Sequence, residues 1–448
     1  MFQVNGRAHR SCDGVRRRDF LRIGYLGLGG LSLGQFLQTQ AQAGSSESAG
    51  GRQARDTAVI YIEMAGGPSH FETYDPKPDA PAEYRGPLGT VGTCLPGVRF
   101  SEMMVEQASI ADKLAVIRSV HHNSSSHQTS AHLVQTGYYL RDRQNRQNEM
   151  PCSGAITARV RQEAQAAPEG LPSYVAVPSI MRYGDAAFLG KGFNPFITGG
   201  DPNKDNFAVK NLDLVGKLSF DRLADRRGLL STLDTNRRLM DNRGVSDALD
   251  QFTHEAFEMV AGDRARAAFD IHAEPDAVRN RYGRSTVGQS LLLARRLVEA
   301  GVPFVTARVG GWDDHQKIVQ RLKQKAPQFD RGVTALINDL HERGMQRNVL
   351  IVAMGEFGRT PRVNRTAGRD HWGSVMSVML SGGELQMGQI IGASSRRGEK
   401  PDDRPYRPEN ILATVYRHLG IDPGQTFVDH AGRPRYVLEN ASVVEELV

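Results

Sequence analysis

Two patterns of apolar and polar positions alternate along most of the chain. Consecutive apolar residues, many of them β-branched, predict buried strands at Ala58–Met64, Leu114–Val120, Pro303–Val309, Asn348–Gly355 and Ser374–Leu380. Between strands, apolar residues recur every three or four positions, as from Ser285 to Gly301 and in the segment ending at Gly344. This alternation predicts an α/β fold with a largely parallel central sheet.

The pattern divides the chain into unequal parts. Residues 57–448 form one predicted α/β domain, and the polar segment 44–56 is a tether in front of it. Within the domain, residues 201–284 are charged and mostly helical in pattern, with few strand signals. We interpret this stretch as an inserted helical segment.

Residues 1–43 have the order of an export signal. Three arginines at 16–18 precede a short apolar, glycine-rich stretch at 23–36, and small residues at 41–43 form a cleavage site. The R-R-x-F-L arrangement at 17–21 resembles a twin-arginine signal. The apolar stretch is shorter than the ~20 residues of a spanning helix, and no later stretch would span a membrane. We therefore expect the twin-arginine machinery to deliver the chain to the periplasm, the cell envelope or the exterior.

Charge and cysteine content narrow the function classes. The formal charge is +6, but six arginines and only two acidic residues lie in residues 1–43, so most of the excess belongs to the leader. No basic block with interleaved aromatic residues follows, which argues against nucleic-acid binding. After the leader, Cys94 and Cys152 have no metal-binding spacing, and whether they pair in an oxidising compartment stays open.

Side chains able to bind a metal follow the predicted strands. Four of the thirteen histidines lie within residues 121–132, directly after one strand. Five further candidate ligands follow or precede the remaining strands: Glu63, Asp313, His315, Glu356 and His371. Since carboxyl ends of parallel strands meet at one edge of a sheet, we expect these residues to converge. Carboxylates and neutral imidazoles suit a divalent ion such as zinc, manganese or iron.

Each of these residues also has a structural interpretation. A histidine at a strand end commonly makes an ordinary hydrogen bond, aspartates in the Gly311–His315 turn can cap it, and Glu356 can form an ion pair with Arg359. Their convergence is what favours a metal site over these separate explanations.

Six stretches resemble an exported family catalogued as domain of unknown function 1501, which belongs with the alkaline phosphatase and sulfatase superfamily. They are residues 16–24, Gly66–Pro78, Gly288–Gly301, Gly311–His315, Gly355–Pro361 and Gly368–Trp372. The resemblance implies an alkaline phosphatase-like three-layer sandwich. It also implies metal ligands at Glu63, His127, Asp313, His315, Glu356 and His371.

The resemblance also assigns the position of the nucleophile. The stretch Ser130–Gly137 resembles the end of the superfamily's nucleophile segment, and ten residues before Gly137 stands His127, where relatives have a hydroxyl or thiol. An imidazole there can bind a metal or act as a base, and a shift of one residue makes Ser126 an alternative nucleophile. Arg359 is a candidate clamp for an anionic substrate.

Two functions follow as expectations. The first is an exported metal-dependent hydrolase acting on phosphate or sulfate esters of extracytoplasmic polymers, with zinc, manganese or calcium as the divalent ion. The alternative is a non-catalytic envelope or polysaccharide-binding protein that retains a sulfatase-like fold and part of the metal site. The changed nucleophile position favours the alternative, and the retained carboxylates and histidines favour the hydrolase.

Overall fold

The computed structural model describes residues 57–209 and 262–448. The predicted leader at 1–43, the tether at 44–56 and the middle of the predicted insertion lie outside these residues. The strands are β1 (Ala58–Met64), β2 (Thr90–Gly92), β3 (Arg99–Ser101), β4 (Ala115–Val120), β5 (Tyr174–Val177), β6 (Phe196–Ile197), β7 (Phe304–Val309), β8 (Val349–Met354), β9 (Gly358–Arg359), β10 (His371–Trp372), β11 (Met376–Gly382), β12 (Gln389–Ile391), β13 (Ala393–Ser394), β14 (Pro401–Asp403), β15 (Thr426–Val428) and β16 (Pro434–Tyr436).

Nine α-helices lie between strands in the described residues. They are α1 (Ala82–Arg85), α2 (Val105–Ser109), α3 (His127–Thr136), α4 (Ser153–Glu163), α5 (Asp263–Phe269), α6 (Asp276–Tyr282), α7 (Thr286–Glu299), α8 (Ile318–Glu342) and α9 (Pro408–Leu419). Helix α7 is capped by Ser285, whose side chain accepts a hydrogen bond from the Gly288 amide. In the predicted insertion, the described part contains α5 and α6. None of the helices in the described ranges is long and apolar enough to cross a membrane.

Eight strands form the central sheet, in the order β12-β4-β11-β8-β1-β7-β5-β6. The pairs of β1 with β7 and β8, of β5 with β6 and β7, and of β4 with β12 are parallel. Only β11 runs in the opposite direction within this sheet, antiparallel to both β4 and β8. The predicted α/β class with a largely parallel sheet is confirmed.

Helices cover both faces of this sheet, giving the predicted three layers. Along β1, Ile60 and Ile62 pack into one apolar cluster with residues of α7 and α8, whereas Val59 and Tyr61 pack into a second cluster with residues of α4 and α9. This alternation follows from the two-residue period of a strand, and burial on both faces explains why β1 is apolar almost throughout.

The reversal of β11 decides what reaches the carboxyl edge of the sheet. The segment before a parallel strand would lie at the opposite edge, so His371, which precedes β11, would be remote from Glu63 and Glu356 in an all-parallel sheet. Because β11 is antiparallel, its first residue, Met376, pairs with Val120 at the end of β4. His371 therefore lies at the predicted edge, but through a strand reversal that the sequence pattern did not indicate.

Candidate metal centre

Five segments carry the predicted ligands to this edge. Glu63 lies near the end of β1, and Glu356 lies two residues after β8. His127 begins α3, and His371 begins β10, a short strand that pairs with β9. The turn after β7 supplies the remaining two, Asp313 and His315.

Three histidine rings converge on the Asp313 carboxylate. The Nε2 atoms of His315 and His371 each lie 3.0 Å from Asp313 Oδ1 and 2.9 Å from each other. The Nε2 atom of His127 lies 3.3 Å from the other oxygen, Oδ2. Imidazole nitrogens from three parts of the chain therefore surround one carboxylate.

These separations fit the ligand shell of a divalent ion. A tetrahedral ion with bonds of about 2.0–2.1 Å holds its ligand atoms about 3.3 Å apart, close to the spacing of the Oδ1 atom and its two Nε2 neighbours. One donor atom from each of His127, Asp313 and His371 also lies within 4.8 Å of the other two. Imidazole nitrogen with a single carboxylate is a donor set that transition-metal ions accept.

Each of the three rings is anchored through its other nitrogen. His127 Nδ1 lies 2.7 Å from Glu356 Oε1, His315 Nδ1 lies 2.8 Å from Asp370 Oδ1, and His371 Nδ1 lies 3.0 Å from the Ser125 carbonyl oxygen. Because these oxygens accept hydrogen bonds, Nδ1 donates in each case and the lone pair of a neutral ring stays on Nε2. Histidines that bind metals are commonly oriented in this way.

The charges around Asp313 favour an anionic carboxylate beside a neutral imidazole. Partial burial raises the pKa of Asp313, but the hydrogen bond and positive charge of Arg359, together with the neighbouring imidazoles, outweigh burial and hold the pKa well below its usual range. The pKa of His371 is lowered, first by burial and then by the positive charges of Arg359 and His127. The pKa of His127 is raised, chiefly by its hydrogen bond to Glu356.

Arg359 orients Asp313 and has no nitrogen left over for a substrate. The side chain is fully buried and donates to Asp313 through Nη2. Its Nε lies 2.8 Å from the Gly67 carbonyl oxygen and its Nη1 lies 3.0 Å from the Arg369 carbonyl oxygen. The predicted role as an anion clamp does not suit this geometry, because all three nitrogens already bind protein oxygens. Arg359 does form an ion pair, but its partner is Asp313 and not the expected Glu356.

Ser126 is placed beside the centre and not within it. It precedes α3 as the N-cap residue, and its hydroxyl donates to Gln128 Oε1 at 3.1 Å. The neighbouring His127 ring, at the position that the resemblance gives to the nucleophile, has one nitrogen near Glu356 and the other near Asp313.

The two predicted glutamates, Glu63 and Glu356, line a cavity together with His127. The Glu356 carboxylate accepts the Gly66 amide at 3.0 Å. Glu63 Oε2 lies 3.2 Å from Arg308 Nε. Burial, and then the negative charge of Glu356, raises the pKa of Glu63 to about 8, although Arg308 opposes the shift. A cavity of about 200 Å³ joins these side chains to Asp313.

Other histidines of the 121–132 run are bound to the main chain. His122 Nε2 donates to the Glu356 carbonyl oxygen at 2.7 Å, and burial lowers its pKa to about 4. His132 Nδ1 donates to the Tyr138 carbonyl oxygen at 2.6 Å. These two rings fix the backbone that carries His127.

Three further residues contribute to the centre. Asp370 anchors His315, the Ser125 carbonyl anchors His371, and Arg182 lines the cavity beside Glu63. Asp370 stands next to His371 in one of the motifs and shares its predicted position before a strand, whereas the other two were not predicted. A main-chain carbonyl leaves no such mark in a sequence.

Comparison with protein families gives a direct match. The profile of the family described as "Protein of unknown function (DUF1501)" matches residues 56–448. The chain belongs to this family. The resemblance to DUF1501 that the motifs indicated is thereby confirmed. A search of curated proteins found no match to this DUF1501 chain.

Solved structures similar to this DUF1501 protein include two sulfatases and a periplasmic domain. The PsFucS1 sulfatase from Pseudoalteromonas sp. is 12% identical, with 87% of this chain and 72% of that chain covered and a TM-score of 0.39. A putative sulfatase from Bacteroides thetaiotaomicron is 10% identical, with 82% and 71% covered and a TM-score of 0.38. The C-terminal periplasmic domain of EcEptC from Escherichia coli, in complex with Zn, is 8% identical, with 88% and 92% covered and a TM-score of 0.38.

Proposed function

We propose that this DUF1501 protein is an exported, metal-dependent hydrolase of phosphate or sulfate esters carried by extracytoplasmic polymers. One observation carries the proposal: three imidazoles, each anchored at Nδ1, direct Nε2 to a single carboxylate. This donor set suits zinc or manganese better than calcium, which prefers a shell made of oxygen alone.

The chain's residues divide the work of such a site. Asp313, His127, His315 and His371 would hold the ion, and Glu356 and Asp370 orient two of the rings. A bound divalent ion supplies Lewis acidity toward an ester oxygen and lowers the pKa of water.

Positive charge for an anionic ester comes from the cavity beside Glu63. Arg308 is anchored to Glu63 through Nε, and its side chain is 41% exposed, so its Nη groups can reach oxygens of a phosphate or sulfate. Arg182 lines the same cavity.

Attack by water suits this arrangement better than a covalent enzyme intermediate. Both ring nitrogens of His127 face carboxylates, and the Ser126 hydroxyl donates to Gln128. A hydroxyl nucleophile would need a neighbouring base or an ion to activate it.

The alternative function is a non-catalytic envelope or polysaccharide-binding protein that uses the ion for stability. The hydrogen bond between His127 and Glu356 favours this alternative, because it anchors an imidazole ring at the position that the resemblance assigns to a nucleophile.

Metal content and ester hydrolysis, measured together, test the proposal. The full chain is produced in an export-competent host and compared with Asp313→Ala and with Asp402→Ala, an exposed aspartate outside the centre. We expect about one divalent ion per wild-type or control chain, and loss of most of it from Asp313→Ala. Aryl phosphate or aryl sulfate hydrolysis should follow the ion content.

Two outcomes would redirect this conclusion. Folded wild-type protein that binds neither zinc nor manganese would rule out the metal centre. An ion lost only from Asp313→Ala, without hydrolysis of either ester class by any of the three proteins, would support the non-catalytic alternative.

A further inference from the structure

A cleft of about 1010 Å³ lies beyond the helix that starts at His127. Three separate segments line it: the stretch after α3 (residues 138–150), the stretch between β5 and β6 (residues 185–194), and residues 429–439, which include the turn and second strand of the β15–β16 hairpin. We name it the hairpin cleft. Its volume is at the upper end of the range for small-molecule sites, which gives room for several linked rings.

Three cations of the hairpin cleft have no acidic partner. Arg141, Arg146 and Lys191 line it and are exposed, and within 57–209 and 262–448 no carboxylate lies in ion-pair distance of them. Arg433, by contrast, lies 2.9 Å from Asp429. Unpaired guanidinium and ammonium groups in a concave surface favour an anionic ligand, since guanidinium binds planar or tetrahedral oxyanions with two hydrogen bonds.

Aromatic rings lie among these cations. Tyr139 is 37% exposed, and Phe188 is partly exposed in the same cleft. Tyr138 is held by its hydroxyl, which donates to the Tyr436 carbonyl oxygen at 2.9 Å. Exposed rings of this kind pack against the apolar C–H faces of sugars and retain little conformational entropy to lose.

Short stretches of chain connect the lining of the cleft to the candidate metal centre. The Tyr139 hydroxyl accepts a hydrogen bond from the Asn123 amide at 3.1 Å. Asn123 stands two residues before Ser125, whose carbonyl oxygen anchors His371. In the other direction, α3 leads from His127 to Thr136 and ends next to the cleft.

Mixed charge in the lining points to a particular class of polymer. Carboxylates also line the cleft, at Glu149, Asp185 and Glu439. They would repel a dense polyanion such as nucleic acid, whose phosphates follow one another at every nucleotide. They can accept hydrogen bonds from sugar hydroxyls. A polysaccharide whose acidic groups occur only at intervals would therefore suit this lining.

We propose that the hairpin cleft binds an acidic oligosaccharide, a chain of sugars bearing sulfate or carboxylate groups. The inference deepens the proposed function and rests on it in one respect, because the saccharide would be the polymer whose ester reaches the metal centre.

Binding is measured by calorimetry on the Asp313→Ala full chain, so that neither ion loss nor turnover affects the result. The probes are sulfated dextran oligomers, galacturonate oligomers, neutral dextran oligomers of equal length and a single-stranded oligonucleotide. We expect one or both acidic saccharides to bind at least about tenfold more tightly than neutral dextran and the oligonucleotide. The two acidic probes distinguish sulfate from carboxylate as the recognised group.

Two sets of variants locate the site. Arg141→Gln/Arg146→Gln/Lys191→Gln should weaken acidic-saccharide binding about tenfold or more, whereas Lys204→Gln/Lys323→Gln/Arg396→Gln, which removes equal charge from exposed positions outside the cleft lining, should change it less than about twofold. Tyr139→Ala should weaken binding and Tyr139→Phe should retain it, because the ring makes the contact.

Several results would overturn the inference. Equal binding of neutral dextran, tighter binding of the oligonucleotide, or equal losses in the two charge variants would each do so. If acidic saccharides bind at the cleft but the protein hydrolyses no ester, only the proposed reaction is wrong. If the protein hydrolyses small aryl esters but its cleft binds no saccharide, only this inference is wrong.

Discussion

Two carboxylates in this protein are each surrounded by several nitrogen-bearing side chains, but most of these side chains are guanidinium groups at one carboxylate and imidazoles at the other. Asp339, on α8, lies 2.8 to 3.0 Å from guanidinium nitrogens of Arg281, Arg295 and Arg343. Asp313 has one guanidinium partner, Arg359, but three imidazoles also lie 3.0 to 3.3 Å from its oxygens. Similar crowding around a carboxylate therefore arises in two chemically different ways.

The kind of partner separates a structural cluster from a candidate site. A guanidinium is always charged and only donates hydrogen bonds, so the partners of Asp339 offer no lone pair to an ion. A neutral imidazole keeps one lone pair, and anchoring at Nδ1 directs it. Exposure agrees with this division, since the Asp339 side chain is 3% exposed and the Asp313 side chain is 44% exposed.

Asp339→Ala should give the largest effect on folding. Arg295, whose side chain is 1% exposed, loses one of its anionic partners on removal of this carboxylate, so we expect the free energy of unfolding to fall by about 3–5 kcal/mol. Urea denaturation of the metal-free protein measures it. Glu342→Ala is the matched control on the same helix, because its side chain is 58% exposed and its ion pair with Arg281 is worth at most about 1 kcal/mol.

Metal content completes this test of the comparison. The ion bound per folded chain should be unchanged in Asp339→Ala. If Asp339→Ala lost the ion as well as stability, the Asp339 and Asp313 clusters would act as one unit. The distinction between a structural cluster and a metal site would then be wrong.

The sequence was sufficient to predict much of the architecture and several residues of the candidate metal centre. Buried strands are continuous apolar runs, so β1, β7 and β8 were found within one residue of their observed limits. The polar residues that follow them had to meet at the carboxyl edge of a parallel sheet. Asp313 and Glu356 therefore emerged from pattern alone.

The remaining features depend on three-dimensional relations that no local pattern encodes. The direction of β11 follows from its pairing with β4 and β8, not from its own residues. Whether Arg359 clamps a substrate or holds Asp313 depends on which carbonyl groups surround it. The hairpin cleft is assembled from segments hundreds of residues apart, such as those containing Arg141 and Arg433.

Asp370→Asn should weaken metal binding, with a smaller effect than the loss of stability expected for Asp339→Ala. The neutral amide is a weaker acceptor for the His315 Nδ1 proton, so orientation and basicity of that ring decline. We expect affinity for zinc or manganese to fall about 10- to 100-fold, measured by competition with a chromophoric chelator. Asp402→Asn should bind as wild type. Unchanged affinity in Asp370→Asn would show that His315 does not bind the ion.

The smallest expected effect is on stability in acid. Burial raises the pKa of Asp339, but hydrogen bonds from Arg343 and Tyr282 outweigh it and leave the pKa below its usual value. An aspartate of the unfolded chain takes up its proton near pH ~3.9, before the folded one does, so the contribution of Asp339 is present above that pH and is lost as the pH falls below it.

Unfolding of the metal-free protein by urea at pH 5, 4 and 3 measures this loss. Asp339→Asn should remove part of the acid slope, by at most about 1.4 kcal/mol per pH unit. The pKa of Asp313 is also lowered, but its carboxylate is nearly half exposed and water screens its partners, so Asp313→Asn should flatten the slope less. An equal or greater flattening in Asp313→Asn would identify the imidazole cluster as a major source of stability, against the distinction between the two carboxylates.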